Sequence, residues 1–303
     1  MERTILVVGH GSRVPEAVEE FRKFVGALAR RFDVPVDHCF LELVEPDMAT
    51  GLSEAVQRVG KGGEVDVLPL FLGSGGHQKN DVAASIQWAR DTFPDVTFRY
   101  AVPLGPHAKL IELLDRRVDA ALDGAEARFL PEATRVLVIG RGSSDPDSCG
   151  EVARSAYLLF HKRPYLSVEY AFQAVASPDM EEGIRRCHAL GAKQIVVAPY
   201  ILFTGKVIED IHRVTQLAGE KVGLPVLMAD YFGAHPLLID VAEQRLREAM
   251  EGTISMSCDV CRYRHPMAGH EHEVGLPQAT HHLHGGEHHH HHHHDVPAEH
   301  DHE

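Results

Sequence analysis

The chain has 303 residues, of which 44% are hydrophobic, and a formal net charge of −14 at pH 7. This length fits about two globular domains, and an acidic balance without a basic stripe excludes a protein that binds nucleic acid. No run of about 18 apolar residues occurs and the first residues lead directly into a strand pattern, so we expect neither a membrane span nor a signal peptide. Five cysteines in no regular framework favour a reducing cytoplasm.

The first predicted element is a buried strand that ends in a glycine-rich turn. Residues 5–8 are consecutive apolar residues, as in a strand of a parallel α/β sheet that is covered on both faces. The run ends in a Gly-His-Gly-Ser sequence, in which Ser12 can cap a helix that opens at Arg13. His10 is thereby predicted at the carboxyl end of a parallel strand, which is where open α/β sheets bind their ligands.

The remainder of the first half alternates between predicted helices and strands. Helices are predicted over residues 17–31, 48–59, 82–90 and 106–122, strands over 65–72 and 98–102, and a loop followed by a strand that ends near Glu42 over 34–43. Residues 73–81 are rich in glycine but lack the Gly-Lys-Ser/Thr ending of a Walker loop. We predict a mobile loop here that carries His77 over the edge of the sheet, with Asp81 capping the next helix.

The pattern of the first half recurs in the second. Residues 136–144 repeat the strand and Gly-x-Gly-Ser sequence of residues 5–13, and two longer segments match in the same order, 40–51 with 172–183 and 67–75 with 197–205. A repeat of this length predicts two similar tandem domains, each an α/β unit with a mostly parallel sheet flanked by helices. We place these domains at residues 1–128 and 133–250.

Several chemically active side chains occur in only one repeat. His10, Glu42 and His77 of the first half correspond to Arg141, Ala174 and Val207 of the second, and Glu45 corresponds to Ser177. Because the first three follow successive parallel strands, the sheet brings them to one edge. Two imidazoles and a carboxylate at that edge can hold a divalent metal with an incomplete coordination sphere, or relay protons near pH 7.

The structural alternative is that His10 is a satisfied histidine in a tight turn. His107 and its counterpart His235 are present in both halves, each just before a predicted helix, and we interpret both as structural. Residues 251–303 contain 15 of the 23 histidines, interspersed with acidic residues, and such a composition cannot bury a core. We expect this tail to be disordered and to act as a reservoir of weak metal sites.

The motifs around the singled-out residues resemble the class II chelatases of tetrapyrrole synthesis, in particular the long CbiX form that inserts cobalt into sirohydrochlorin. The resemblance rests on Val-Gly-His10-Gly-Ser-Arg, Phe-Leu-Glu42-x-x-Glu-Pro and Pro-Leu-Phe-Leu-Gly-Ser-Gly-Gly-His77-x-Lys-Asn-Asp, and it covers residues 3–250. The tail adds Met256-Ser-Cys258-Asp-Val-Cys261, similar to the Met-x-Cys-x-x-Cys that this family associates with an iron–sulfur cluster. Two cysteines supply half of a four-cysteine site, so a cluster would need a second chain, as in a homodimer, or other ligands.

The resemblance implies that Co²⁺ enters sirohydrochlorin in the cleft between the domains, with release of two protons. His10 and His77 would present the metal and accept pyrrole protons, and Glu42, or alternatively Glu45, would position or stabilise an imidazole. The carboxylates of the macrocycle could be anchored by three cations near the site, Arg13, Lys79 and Arg141. Insertion of iron or nickel is an alternative, because two histidines do not select cobalt by affinity. A second alternative is a metal-storage protein in which the tail is the functional part.

Overall fold

Each sequence repeat forms a four-stranded parallel sheet within the residues that the computed structural model describes, namely 2–125, 129–163 and 167–252. The first repeat contains strands β1 (Arg3–Gly9), β2 (Val36–Phe40), β3 (Glu64–Pro69) and β4 (Thr97–Tyr100), and helices α1 (Pro15–Ala29), α2 (Met48–Val59), α3 (Ala83–Thr92) and α4 (Ala108–Asp123). A π-helical turn, His77–Val82, precedes α3, and a 3₁₀ turn, Pro131–Ala133, opens the second repeat. The second repeat contains β5 (Thr134–Gly140), β6 (Ser167–Phe172), β7 (Gln194–Pro199) and β8 (Val226–Met228), and α5 (Pro146–Phe160), α6 (Met180–Ala189), α7 (Lys206–Val222) and α8 (Pro236–Glu251).

The strand order places the end of β1 at the switch point of the first sheet. The order is β2-β1-β3-β4, and the second sheet repeats it as β6-β5-β7-β8. The chain leaves β1 towards β2 on one side and later returns to β3 on the other, so the crossovers diverge there. Ligands bind at such a point in open α/β sheets, because the diverging loops leave a crevice between them.

Alternate residues of β1 enter two different cores, as the continuous apolar run predicted. Ile5 and Val7 belong to a central core between the two sheets, whereas Leu6 and Val8 pack on an outer core beneath α2 and α3. The second sheet has its own outer core beneath α6 and α7. Helices α1, α4, α5 and α8 supply the central core, which therefore joins the two repeats.

The last helix of each repeat lies on the sheet of the other repeat. Helix α4 packs against β7 and β8, and α8 packs against β3 and β4. The predicted boundaries, 1–128 and 133–250, follow the sequence repeat, whereas each packed sheet is completed by a helix from outside its own repeat. His107 and His235 begin these two helices, where the ring of each accepts a hydrogen bond from the backbone N–H two residues later. Their structural interpretation fits this capping role.

The prediction of a mobile loop over residues 73–81 is wrong for its second part. Residues 77–82 form the π-helical turn that leads into α3, so Asp81 lies inside a helical segment and does not cap one. The helix predicted to open at Arg13 begins instead at Pro15. There Ser12 accepts a hydrogen bond from the N–H of Val14, 3.1 Å away.

The histidine-rich segment and the pair Cys258 and Cys261 lie outside the described residues. The described helices include none with the length and apolar run needed to cross a membrane.

Candidate active site

Backbone pairing brings Glu42 next to His10. Beyond β1 and β2 the ladder continues for two residues, since the N–H of Leu41 donates to Gly9 O at 2.8 Å and that of Glu42 donates to His10 O at 3.1 Å. The side chains consequently meet, with His10 Nδ1 3.4 Å from Glu42 Oε1. Both are about one-third exposed, at 34% and 30%.

Gly11 is required by this arrangement. A Cβ at Gly11 would lie 1.8 Å from the carbonyl oxygen of Glu42, and the residue has a φ of +93°. The next residue after Glu42, Leu43, also has a positive φ of 68° and is the centre of a γ-turn, closed by a 2.9 Å hydrogen bond from Val44 N–H to Glu42 O. This conformation costs of order 1–3 kcal/mol for a residue with a side chain, and it turns the chain sharply beside His10.

His77 faces His10 from the third strand-to-helix connection. The ring centroids are 4.9 Å apart and the rings are nearly perpendicular, at 83°. The Nδ1 atom of His77 lies 2.9 Å from Asp81 Oδ2, whose side chain is completely buried. Each imidazole therefore has a carboxylate at Nδ1, and Nε2 is the nitrogen through which each ring can bind a metal or accept a proton. Asp81 is a site residue that the sequence analysis missed, although its spacing from His77 places the two side chains on one helical face.

The surroundings of His10 favour a neutral ring. Burial lowers the pKa of His10 below its ordinary value, and the neighbouring His77 and the Arg141 guanidinium lower it further. Glu42 opposes these effects and raises the pKa. A neutral imidazole at neutral pH is the form that can bind a cation or take up a proton.

Both repeats line a cavity of about 770 Å³ in front of these side chains. Its first wall carries His10, His77 and Phe71, and the facing wall from the second repeat carries Tyr200 and Phe203. The volume lies within the range of small-molecule sites, and aromatic walls suit a flat, largely apolar ligand.

The three cations predicted to anchor the macrocycle differ in position. Arg13 and Arg141 are exposed and line the cavity, one from each repeat. Lys79 instead binds across the two repeats, with Nζ 2.7 Å from both Asp145 Oδ2 and Asp147 Oδ2, and is not among the cavity residues.

Glu45, the alternative carboxylate, is exposed and has a local partner. Its Oε2 accepts a hydrogen bond from Asp47 N–H at 2.9 Å. Glu42 is therefore the carboxylate of this turn that reaches an imidazole.

The second repeat has the same backbone conformation but lacks the two imidazoles and the carboxylate. Ala174 N–H donates to Arg141 O at 3.0 Å, and Val175 has a φ of 67° at the centre of a γ-turn like that of Leu43. The side chains at the three positions are a guanidinium and two apolar groups, none of which binds a cation. Among the described residues, no three histidine, cysteine or acidic side chains form a ready-made metal group.

A model of the CbiX family matches residues 4–121 and again 135–249. The chain belongs to the CbiX family. The two family matches coincide with the two sequence repeats, and together they cover both sheets.

Bacterial chelatases are similar to this chain over most of its length. The sirohydrochlorin cobaltochelatase of Priestia megaterium is 36% identical over 265 residues, which is 86% of this chain and 85% of the relative. The sirohydrochlorin ferrochelatase of Bacillus subtilis is 32% identical over 250 residues, covering 82% and 92%. A solved structure of the sirohydrochlorin chelatase SirB from Bacillus subtilis subspecies spizizenii, in complex with cobalt, superimposes with a TM-score of 0.70 at 30% identity, covering 83% of this chain and 97% of SirB.

Proposed function

We propose that this protein is a sirohydrochlorin cobaltochelatase that inserts Co²⁺ into sirohydrochlorin on the way to cobalamin. The single observation that carries the proposal is the pair His10 and His77, 4.9 Å apart at the switch point of one sheet and facing a cavity that both repeats enclose. A cobaltochelatase is the relative with 36% identity, which supports this activity.

In the proposed reaction, Co²⁺ and sirohydrochlorin give cobalt–sirohydrochlorin and two protons. His10 and His77 hold the incoming Co²⁺ as substrate through Nε2, on the face of the macrocycle that meets the first repeat. Each ring can accept a pyrrole proton once it has given up the metal. The carboxylates of Glu42 and Asp81 then stabilise the imidazolium that forms.

The cavity walls suit the macrocycle. Phe71 and Phe203 offer apolar surfaces to its faces, and Arg13 and Arg141 can bind its peripheral carboxylates. Lys79 is the weakest of the three predicted anchors, because two carboxylates of the chain already engage it.

The metal is tested with one substrate and three ions. The full chain is mixed with sirohydrochlorin and Co²⁺, Ni²⁺ or Fe²⁺, and insertion is followed in the absorption spectrum. Cobalt is expected to be inserted with the highest kcat/KM. A higher kcat/KM for iron or nickel would show that the proposed metal is wrong. His10→Ala and His77→Ala should each abolish insertion while the circular dichroism spectrum is retained, and insertion by a folded His10→Ala protein would refute the assignment.

A metal-storage function is the second candidate, since 15 histidines lie beyond residue 250. Deleting residues 251–303 distinguishes the two. A chelatase keeps its turnover when metal is plentiful, whereas a storage protein loses its capacity.

The iron–sulfur cluster at Cys258 and Cys261 and a homodimer stay predictions. Two cysteines per chain provide half of a four-cysteine ligand set, so no step of the proposed reaction involves a cluster. We also propose a reducing cytoplasm as the location, supported by the free thiols of Cys39, Cys149 and Cys187 in the described part of the chain.

A further inference from the structure

A carboxylate of the second repeat reaches the loop that carries His77. Glu151, on α5, accepts a hydrogen bond from the N–H of Ser74 at 3.1 Å. The contact is close, because a Cβ at Gly73 would lie 2.2 Å from Glu151 Oε2. Glu151 is also one of the residues that line the cavity, and the sequence analysis did not single it out.

An equivalent contact runs in the opposite direction, from the first repeat to a loop of the second. Glu20, the sixth residue of α1 as Glu151 is of α5, accepts from Thr204 N–H at 2.8 Å. Ser74 and Thr204 precede equivalent glycines, so each repeat holds the loop of the other through one glutamate. The two loops carry different side chains, since the second residue after that glycine is His77 in the first repeat and Val207 in the second.

The two contacts are also completed differently. Glu20 receives a second hydrogen bond, from the hydroxyl of Tyr231 at 2.8 Å, and the first repeat has Pro103 at the corresponding position. The segment 73–79 is instead bound a second time at its C-terminal residue, Lys79, which pairs with Asp145 and Asp147 at the start of α5. Residues 73–79 are thus attached at two points to the second repeat.

We propose that Glu151 is a positioning residue for metal insertion, which holds the 73–76 loop across the cleft and so fixes His77 opposite His10. The inference rests on the proposed function. It gives the second repeat, which has Arg141 and Val207 in place of His10 and His77, a part in the geometry of the metal site.

The charge of Glu151 is set by groups on several elements. The pKa of Glu151 is raised to about 7, chiefly by burial and further by the carboxylates of Asp147 and Asp145, although the Ser74 N–H and the Lys79 ammonium act to lower it. Tyr200, which follows β7, also faces Glu151. The hydrogen bond from Ser74 is stronger to the carboxylate than to the neutral acid, so the loop is held more firmly above pH 7 than below it.

Glu151→Gln and Glu20→Gln in the full chain make a matched pair. In Glu151→Gln, the amides of residues 73–79 should exchange with deuterium at least fivefold faster, and kcat/KM for Co²⁺ should fall about tenfold at pH 8, the range seen when a group that orients a metal ligand is lost. The KM for sirohydrochlorin should stay within twofold. Because glutamine resembles the protonated acid, the ratio of wild type to variant should shrink towards one at pH 6.

Glu20→Gln should accelerate exchange around Thr204 and leave kcat/KM for Co²⁺ within twofold. The proposal is overturned if both variants lose kcat/KM for Co²⁺ equally, or if the loss in Glu151→Gln is the same at every pH. If wild type inserts no metal, the proposed function fails, yet the exchange data still decide whether Glu151 holds the loop. Should Glu151→Gln not fold, Glu151→Asp withdraws the carboxylate by one methylene and is expected to show the same loss at pH 8, whereas full activity would overturn the proposal.

Discussion

The protonation of His10 depends on charges from both repeats. Glu42 lies beside it on the same sheet edge, and Arg141 reaches it from the facing repeat at the position that His10 itself occupies in the first. The duplicated position thus carries an imidazole in the first repeat and, in the second, a cation that adds to the lowering of the His10 pKa by burial and by His77. The pH dependence of metal insertion should therefore reflect the pKa of His10.

We expect an acid limb of kcat/KM for Co²⁺ below the ordinary histidine value of 6.5, separate from the effect of Glu151 near 7. Below the lowered pKa, His10 is protonated and can neither bind a cation nor accept a proton. Glu42→Gln removes a charge that raises the pKa, so the limb should move to lower pH. Arg141→Met removes a charge that lowers the pKa, so the limb should move to higher pH.

The measurement is kcat/KM for Co²⁺ between pH 5 and pH 8 in a buffer that does not bind metal. Arg13→Met is the control, because Arg13 lines the same cavity but is not among the main charges that act on His10. Its limb should stay in place even if the affinity for sirohydrochlorin falls. Shifts of Glu42→Gln and Arg141→Met in the same direction would contradict this account of the electrostatics.

At the scale of elements, the turn after the second strand of each repeat is kept in the same conformation with different side chains. Leu43 and Val175 both have positive φ values, and Gly11 and Gly142 both allow a carbonyl oxygen to approach where a Cβ would stand. In the second repeat this carbonyl belongs to Ala174, which has no carboxylate to present. The turn is therefore a feature of the fold, and the first repeat uses it to place Glu42.

Gly11→Ala and Gly142→Ala should each lower the free energy of unfolding by about 1–3 kcal/mol or more, because the new Cβ would lie within 2 Å of a carbonyl oxygen at a positive φ. Gly26→Ala is the control. Gly26 is exposed within α1, has φ in the ordinary range and has open space around it. Its replacement by alanine should raise the free energy of unfolding by about 0.5–1 kcal/mol, because alanine has the better helix propensity. Urea denaturation measures all three, and an unchanged midpoint for Gly11→Ala would show that the turn can relax.

At the scale of the whole molecule, the exchanged helices make the two repeats depend on each other. Residues Leu110 and Leu114 of α4 are buried in the central core beside β7, and Leu238 and Ala242 of α8 are buried in the same core beside β3. Separating the repeats exposes these apolar faces and the sheet surfaces that they cover. The same packing joins the two sides of the cleft between the repeats.

Residues 1–128 expressed alone should not form a stable monomer, because their sheet lacks α8 and their α4 lacks the sheet it covers. Self-association or incomplete folding is expected. Mixing with residues 129–303 should restore a one-to-one complex with cooperative unfolding. Light scattering and thermal unfolding measure both, and a monomeric first half that unfolds cooperatively would show that the predicted boundary at 128 also separates independent folding units.

Local sequence patterns were enough to identify the repeat, the parallel sheets and three candidate site residues. Buried parallel strands have continuous apolar runs, so residues 5–8 and 136–139 identified the two central strands without any tertiary information. The comparison of the two halves singled out His10, Glu42 and His77, because a duplicated scaffold shows which side chains its fold does not require. These inferences depend only on local patterns and their recurrence.

The groups that act on those residues are brought to them by the packing of distant segments. The exchange of α4 and α8, the pairing of Lys79 with Asp145 and Asp147, and the contact of Glu151 with Ser74 all join segments that are distant in the chain. Local pattern has no information about such contacts, because they depend on how two sheets are placed against one another. Asp81 is only four residues from His77, but the glycines before it predicted a loop, whereas residues 77–82 form a helical turn that places the Asp81 carboxylate at the His77 ring.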